Sequence, residues 1–318
     1  MTKFLLLGLT QNPQLQKILF VVPLPIFLFT VLANLLIVIT ISLSPTLSVP
    51  MYFFLTHLSF IDAIFTSVTT PKLITDLLHQ RRTISWGGCL TQLFVEHFLG
   101  GVKVIVLIVM AYDRYVAICK PLHYATIMQQ GLCKLLAVVA WIGGTLHATV
   151  QILFTVDLTF CGSNVIDHFM CDFFSLLKLA CSHTYTLGMV VAANTGGMCL
   201  LIFFLLLISY IVILSCLKSH GSKGRRKALS TCGSHFTVVG KKVLSTCSSY
   251  IMVVALFFVP YIYIYVLPPG SEHKDKEMTV LCTMIAPLLN HLIYTLRNME
   301  MKIATRKVWS KVVHSELK

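Results

Sequence analysis

Apolar residues run along this chain in long unbroken blocks, separated by short polar segments. A helix needs about 20 mostly apolar residues to cross the hydrocarbon core of a bilayer. Seven blocks approach that length, at 18–41, 52–75, 90–112, 134–155, 187–216, 243–267 and 278–296. The first and fifth carry no Lys, Arg, Asp or Glu, whereas the third contains Glu96 and Lys103. The blocks are too long, and too free of ten-residue alternation, to be the strands of a membrane barrel. The pattern therefore predicts an all-α membrane protein, a bundle of seven transmembrane helices with a short leading segment (1–17) and a tail (297–318).

Composition points the same way. Hydrophobic residues make up 56% and charged residues 12% of the 318 positions, and the mean hydropathy is +0.82. A soluble domain holds roughly 45–50% apolar and about 25% charged residues. A soluble enzyme, a disordered chain and a disulfide-rich mini-protein are thereby excluded. The net charge of +13 reads as a cytoplasmic face and the lipid bilayer, not as nucleic acid. With the N-terminus outside, the second inner loop, the third inner loop (217–242) and the tail collect sixteen basic residues, and the outer segments seven. That asymmetry favours N-terminus out and C-terminus in. Met1–Lys17 has no long apolar region of its own, so the first span is expected to act as both signal and anchor. The tail spaces Ile303, Val308 and Val312 among its charges, as a short amphipathic helix on an anionic leaflet would.

Of the eleven cysteines, Cys89, Cys161, Cys171 and Cys181 fall on the outer side. They face an oxidising compartment during synthesis, and two bridges among them allow three pairings. Most of the others are expected to pack as small hydrophobes. No His or Cys spacing suits a metal. No nucleophile–base constellation supports an enzyme, and no cofactor is implied. Asn34, Asp62 and Asn290 lie within apolar spans, where buried polar groups need partners; they are expected to face one another.

Longer motifs carry a resemblance. Met110-Ala111-Tyr112-Asp113-Arg114-Tyr115-Val116-Ala117-Ile118-Cys119 runs into Lys120-Pro121-Leu122-His123-Tyr124. Pro50-Met51-Tyr52-Phe53-Phe54-Leu55 opens the second span, and Leu58-Ser59-Phe60-Ile61-Asp62 follows. Lys227-Ala228-Leu229-Ser230-Thr231-Cys232-Gly233-Ser234-His235 precedes the sixth. Pro287-Leu288-Leu289-Asn290 and Leu292-Ile293-Tyr294-Thr295-Leu296-Arg297-Asn298 close the seventh. Over nearly its whole length the chain resembles the mammalian-type olfactory receptors, a branch of the rhodopsin-like G-protein-coupled receptors.

The resemblance implies a receptor for small volatile odorants that activates a stimulatory olfactory-type heterotrimeric G protein and raises cAMP. It implies the plasma membrane of olfactory sensory neurons. It also implies the bridges Cys89–Cys171 and Cys161–Cys181. Asp113, Arg114, Tyr115, Tyr210 and Tyr294 take the switch and G-protein-coupling positions. Asn34, Asp62, Lys103 and Asn290 take those of a polar network. His97, Gly100, Gly101, Asn194, Phe258, Tyr261 and Tyr265 are the ligand-pocket candidates, with Gly100-Gly101 leaving space and the aromatics forming walls.

Four features depart from the family pattern. Lys103 stands where the family usually has an acidic residue, so an Asp62–Lys103 pair is expected in place of a bound sodium ion. His291 replaces the usual proline after Asn290. No Asn-x-Ser/Thr acceptor occurs in the chain. Finally, Lys227–Cys232 returns as Lys242–Cys247, and the match continues through 227–239 and 242–254. The second copy is expected to enter the membrane as helix six, leaving the first in the inner loop. These departures frame an alternative: a folded receptor, or decayed-gene product, that does not signal.

Overall fold

The computed structural model describes residues 3–12, 14, 16, 19, 21–79, 82–161, 163–181, 184–227, 251–266, 272–297 and 299–316. Seven helical segments run as a bundle: α1 (Pro23–Leu43), α2 (Pro50–His79), α3 (Trp86–Cys119), α4 (Gln130–Val156), α5, α6 (Ile251–Val266) and α7. The fifth starts as Thr184–Val191, passes a π turn at Ala192–Gly196 and continues as Gly197–Lys227. The seventh likewise joins Glu272–Val280 to Ala286–Arg297 through a π turn at Leu281–Ile285. An eighth helix, α8 (Met299–Glu316), follows.

Six of these helices, α6 excepted, are long and apolar enough to cross a membrane. Their apolar side chains are divided between two environments. Leu32, Leu146, Leu153, Leu201 and Ile211 lie exposed around the outside of the bundle, where lipid takes the place of water. The interior instead collects polar residues, among them Asn34, Asp62, Lys103, Gln151 and Asn290. Helix α3 is the most enclosed of the six and packs against α2, α4 and α5.

The helices overrun the apolar blocks. Hydropathy falls where a helix leaves the hydrocarbon, but the backbone stays helical until a cap or a proline stops it. Ser85 caps α3 by accepting from Gly88 N at 3.1 Å, and Lys120-Pro121 ends it. Pro23 opens α1 and Pro50 opens α2, positions where a missing N–H costs nothing. Helix α5 continues to Lys227, past the expected end at 216. Helix α7 starts at Glu272, in the polar stretch before the expected 278. The repeat lies almost wholly outside the described residues, and so does the start of the sixth span.

One end of the bundle carries a three-stranded sheet in the order β2–β1–β3. Strand β1 (Lys3–Leu6) pairs antiparallel with β2 (Thr83–Ser85) and parallel with β3 (Val165–Ile166). Its alternation buries Phe4 and Leu6, and Phe4 packs edge-on against Phe160 with ring centres 5.3 Å apart. Gly8 turns the chain out of the strand at φ 77°, a left-handed conformation that suits glycine. The Arg82 guanidinium donates to Leu7 O at 2.9 Å beside it. Disulfides join Cys89 to Cys171 and Cys161 to Cys181, the first tying the loop before α5 to the start of α3. Gln92 Oε1 accepts from Cys171 N at 3.0 Å, and Lys276 Nζ donates to Asp167 Oδ1 at 2.6 Å from α7. Burial lowers the pKa of His168 in this loop, against the pull of Asp172; its Nδ1 accepts from Met170 N.

At the other end, Tyr52 Oη donates to Glu300 Oε2 at 2.8 Å and fastens α8 to α2. Met301, Ala304 and Val308 form the buried face of α8. Ile303 lies exposed, off the Met301–Ala304–Val308 stripe that packs on the bundle.

Small residues set the α3–α4 crossing. A Cβ on Gly144 would fall 2.4 Å from Val102 Cγ2 and 2.7 Å from Phe98 O, so nothing larger than hydrogen fits without moving backbone. Gly144→Val is expected to destabilise the bundle by about 1–3 kcal/mol, the cost of overpacking. Thermal unfolding of the purified protein checks this, with Gly131→Ala as control since a Cβ there meets nothing within 4 Å. A Gly144→Val protein that melts with the parent contradicts the tight crossing.

Candidate functional site

Among the described residues, the bundle interior holds two polar clusters and two adjoining cavities that bear on function. The central cluster is built on the Asp62 carboxylate of α2. Lys103 Nζ, from α3, donates to Asp62 Oδ1 at 2.6 Å. Asn290 Nδ2, from α7, donates to Asp62 Oδ2 at 2.9 Å. All three side chains are buried. The ammonium also lies 5.1 Å from the centre of the Phe257 ring of α6, a cation–π contact. Asn34 of α1 joins one step away, donating from Nδ2 to Thr30 O at 2.9 Å and to Pro287 O of α7 at 3.4 Å. The four sequence-selected polar residues thus meet in one region, though Asn34 reaches the α7 backbone and not the carboxylate itself.

His291, next to Asn290, is buried, and neither ring nitrogen has a hydrogen-bond partner among the described residues. Its ring meets Phe29 edge-on with centres 5.9 Å apart.

The second cluster lies at the α8 end. Asp113 is fully buried, with Arg114 Nη2 3.4 Å from its Oδ2. Tyr124, on the short helix Tyr124–Ile127 after α3, donates to Asp113 Oδ1 at 2.7 Å. Burial, then the adjacent Asp113 carboxylate, pushes the Tyr124 phenol above its usual pKa, so it stays a donor. Tyr115 packs half-buried against the core, Tyr210 is buried on α5, and Tyr294 is half-buried on α7. The Tyr294 hydroxyl has no hydrogen-bond partner among the described residues.

Between α3, α4, α5 and α6, a small cavity is lined by His97, Gly100, Gly101, His147, Thr195 and Tyr261, together with Glu96, Val104, Met198, Cys199 and Phe257. His97 is buried with its Nε2 unpartnered among the described residues, and its ring sits 5.8 Å from that of His147. Tyr265 stacks on Tyr261 at 6.1 Å and contacts Phe174, in the segment between α4 and α5, at 5.6 Å. It belongs to an aromatic group beside the cavity and not to the lining.

Two other candidates miss the wall by one residue. Phe257, not Phe258, lines the cavity; Phe258 packs against Phe203, ring centres 6.1 Å apart. Thr195, not Asn194, faces inward, where its Oγ1 accepts from Gln151 Nε2 at 2.8 Å. The π turn at Ala192–Gly196 shifts the helix phase there, and π turns recur at functional sites. His147 was legible in principle: Gly100-Gly101 and Gly143-Gly144 mark a close helix crossing, and His147 lies about one turn beyond it. Glu96 stood out only as a charge within the third apolar block, and Cys199 carried no such mark.

A second, smaller cavity adjoins the first and is lined by Asp62, Lys103, Leu99, Gly100, Phe257 and Tyr261, with Ile61, Phe65 and Cys282. Among the described residues no group of His, Cys, Asp and Glu could hold a metal ion.

Removing one partner of a buried ion pair leaves an uncompensated charge, at a cost of about 3–5 kcal/mol. Lys103→Met is therefore expected to be strongly destabilised, and adding Asp62→Asn to recover much of the loss. Thermal unfolding of the single and double variants measures this. Additive losses would show that the two side chains do not interact.

Comparison with known proteins agrees with this architecture. Residues 33–294 match the family described as 7 transmembrane receptor (rhodopsin family). Human Olfactory receptor 4A47 is 51% identical over 98% of this chain and 96% of its own. Mouse Olfactory receptor 4B13 is 49% identical over 98% of this chain and 97% of its own. The fold is similar to that of squid rhodopsin, with a TM-score of 0.72 over 95% of this chain and 87% of the other, at 14% identity. Seven helical segments, a polar centre and a full-length likeness to these proteins place the chain, a multi-pass cell-membrane protein, in the olfactory receptor branch of the rhodopsin-like receptors.

Proposed function

We propose that this receptor detects small, mostly apolar volatile molecules arriving from outside the cell. It signals through a stimulatory olfactory-type heterotrimeric G protein that raises cyclic AMP. In this reading the N-terminus and the sheet lie outside, and α8 lies inside. The basic residues of the inner loops and tail support that orientation.

The observation that carries the ligand reading is the cavity between α3 and α6. Its surface is largely apolar, and Glu96, His97, His147, Thr195 and Tyr261 supply the polar groups. Pockets for small molecules have this character: apolar surface for affinity and sparse polar groups for orientation. The pocket candidates are therefore His97, Gly100, Gly101 and Tyr261 on the wall, with Asn194, Phe258 and Tyr265 behind it.

At the inner end, Asp113 and Tyr124 hold the neighbourhood of Arg114 in its resting arrangement. Activation releases the Arg114 guanidinium toward the partner, with Tyr115, Tyr210 and Tyr294 forming the surrounding packing. A silent receptor is the second reading, favoured by His291 in α7, buried and without a hydrogen-bond partner among the described residues. The two are separated by a cyclic AMP assay of a surface-tagged receptor against a broad odorant panel. We expect a concentration-dependent rise for at least one odorant, lost in Arg114→Ala at equal surface level. A receptor confirmed at the surface that answers none of the panel supports the silent reading.

A further inference from the structure

The lower cavity has a feature that helix packing does not require. Gly100 and Tyr261 line both cavities, and a Cβ on Gly100 would lie 3.7 Å from Tyr261 Oη. These two residues form the neck between an upper and a lower chamber. Lys103 lines the lower chamber and Phe257 is shared.

A lysine ammonium has three protons to donate. Asp62 Oδ1 takes one at 2.6 Å, and the Phe257 ring covers another side. Among the described residues no second hydrogen-bond acceptor meets the ammonium. A buried ion pair offsets its desolvation only when the remaining protons are also answered. The chamber therefore presents a charged donor to whatever fills it.

We propose that the lower chamber is a subsite for the carbonyl head of a ligand, an aldehyde or ketone, with Lys103 as its hydrogen-bond donor and the ligand's apolar tail in the upper chamber. The inference rests on the ligand-binding reading above and adds the chemical class. A carboxylate is disfavoured, because Asp62 already neutralises the ammonium and a second anion beside it would be repelled at low dielectric.

The test uses octanal, methyl hexyl ketone, octene and octanoate as probes on the full-length receptor in lipid nanodiscs. Binding is read as the ligand concentration that raises the melting temperature half-maximally. The parent protein is expected to take the two carbonyl compounds at concentrations ten- to a hundredfold lower than octene or octanoate, the worth of a charge-assisted hydrogen bond.

Two variants remove the preference by different routes. Asp62→Leu/Lys103→Met removes both charges and leaves no hydrogen-bond donor at either position. Gly100→Val narrows the neck and leaves the ion pair intact. Each is expected to bind carbonyl compound and octene within about threefold of each other. Equal binding of octanal and octene by the parent overturns the proposal without any variant, and so does a carbonyl preference that survives in a folded variant. Cyclic AMP, assayed separately in cells, keeps the two claims apart. Carbonyl-selective binding without cyclic AMP would sink the G-protein reading and leave the subsite standing. A cyclic AMP response without carbonyl preference would do the reverse.

Discussion

A carboxylate in the middle of a membrane bundle is tolerable only if both of its oxygens are answered, and Asp62 is answered by two different helices. Lys103 brings the countercharge from α3 and Asn290 brings an amide from α7. The ammonium extends the contact to α6 through the Phe257 ring. Four helices are thus fixed around one group, where apolar packing alone would leave them free to slide. Leucine against leucine in lipid gains little over leucine against an acyl chain. The polar centre supplies the specificity that such packing lacks.

The rest of the molecule builds outward from that centre. Toward the sheet, the disulfide from Cys89 to Cys171, the Gln92 hydrogen bond and the Lys276–Asp167 contact hold the loop over the bundle. Toward α8, Asp113 is held by Tyr124 and Arg114, and Glu300 by Tyr52. Between these fixed ends, glycines at the α3–α4 crossing bring backbones together, whereas Gly100 leaves room. The same residue type serves opposite purposes one position apart: Gly101 faces the Gly144 backbone, and Gly100 faces a chamber.

Much of this was legible in the chain. Long apolar blocks give the helices because a bilayer leaves the backbone few alternatives. Asn34, Asp62, Lys103 and Asn290 announced themselves by standing where polar groups are costly. Helix ends were less legible, since α5 and α7 run on through polar residues that hydropathy does not count. The expected pocket residues lie on α3, α5 and α6, whereas the cavity also has His147 of α4 on its wall, and Phe257 and Thr195 face it where Phe258 and Asn194 were expected. One residue on a helix is about 100° of rotation, and a π turn changes the phase without any mark in the sequence. The Tyr124–Asp113 contact joins residues within one recognised motif, yet only the short helix after Pro121 brings them together.

The contact between Lys103 and Asp62 is the claim on which the account stands. An experimental density map of the ligand-free receptor in lipid, resolved to individual side chains, tests it most directly. We expect continuous approach of Lys103 Nζ to one Asp62 oxygen and of the Asn290 amide to the other, with α2, α3 and α7 meeting there. A map showing Lys103 turned away, with Asp62 held only by water or a bound ion, would contradict it.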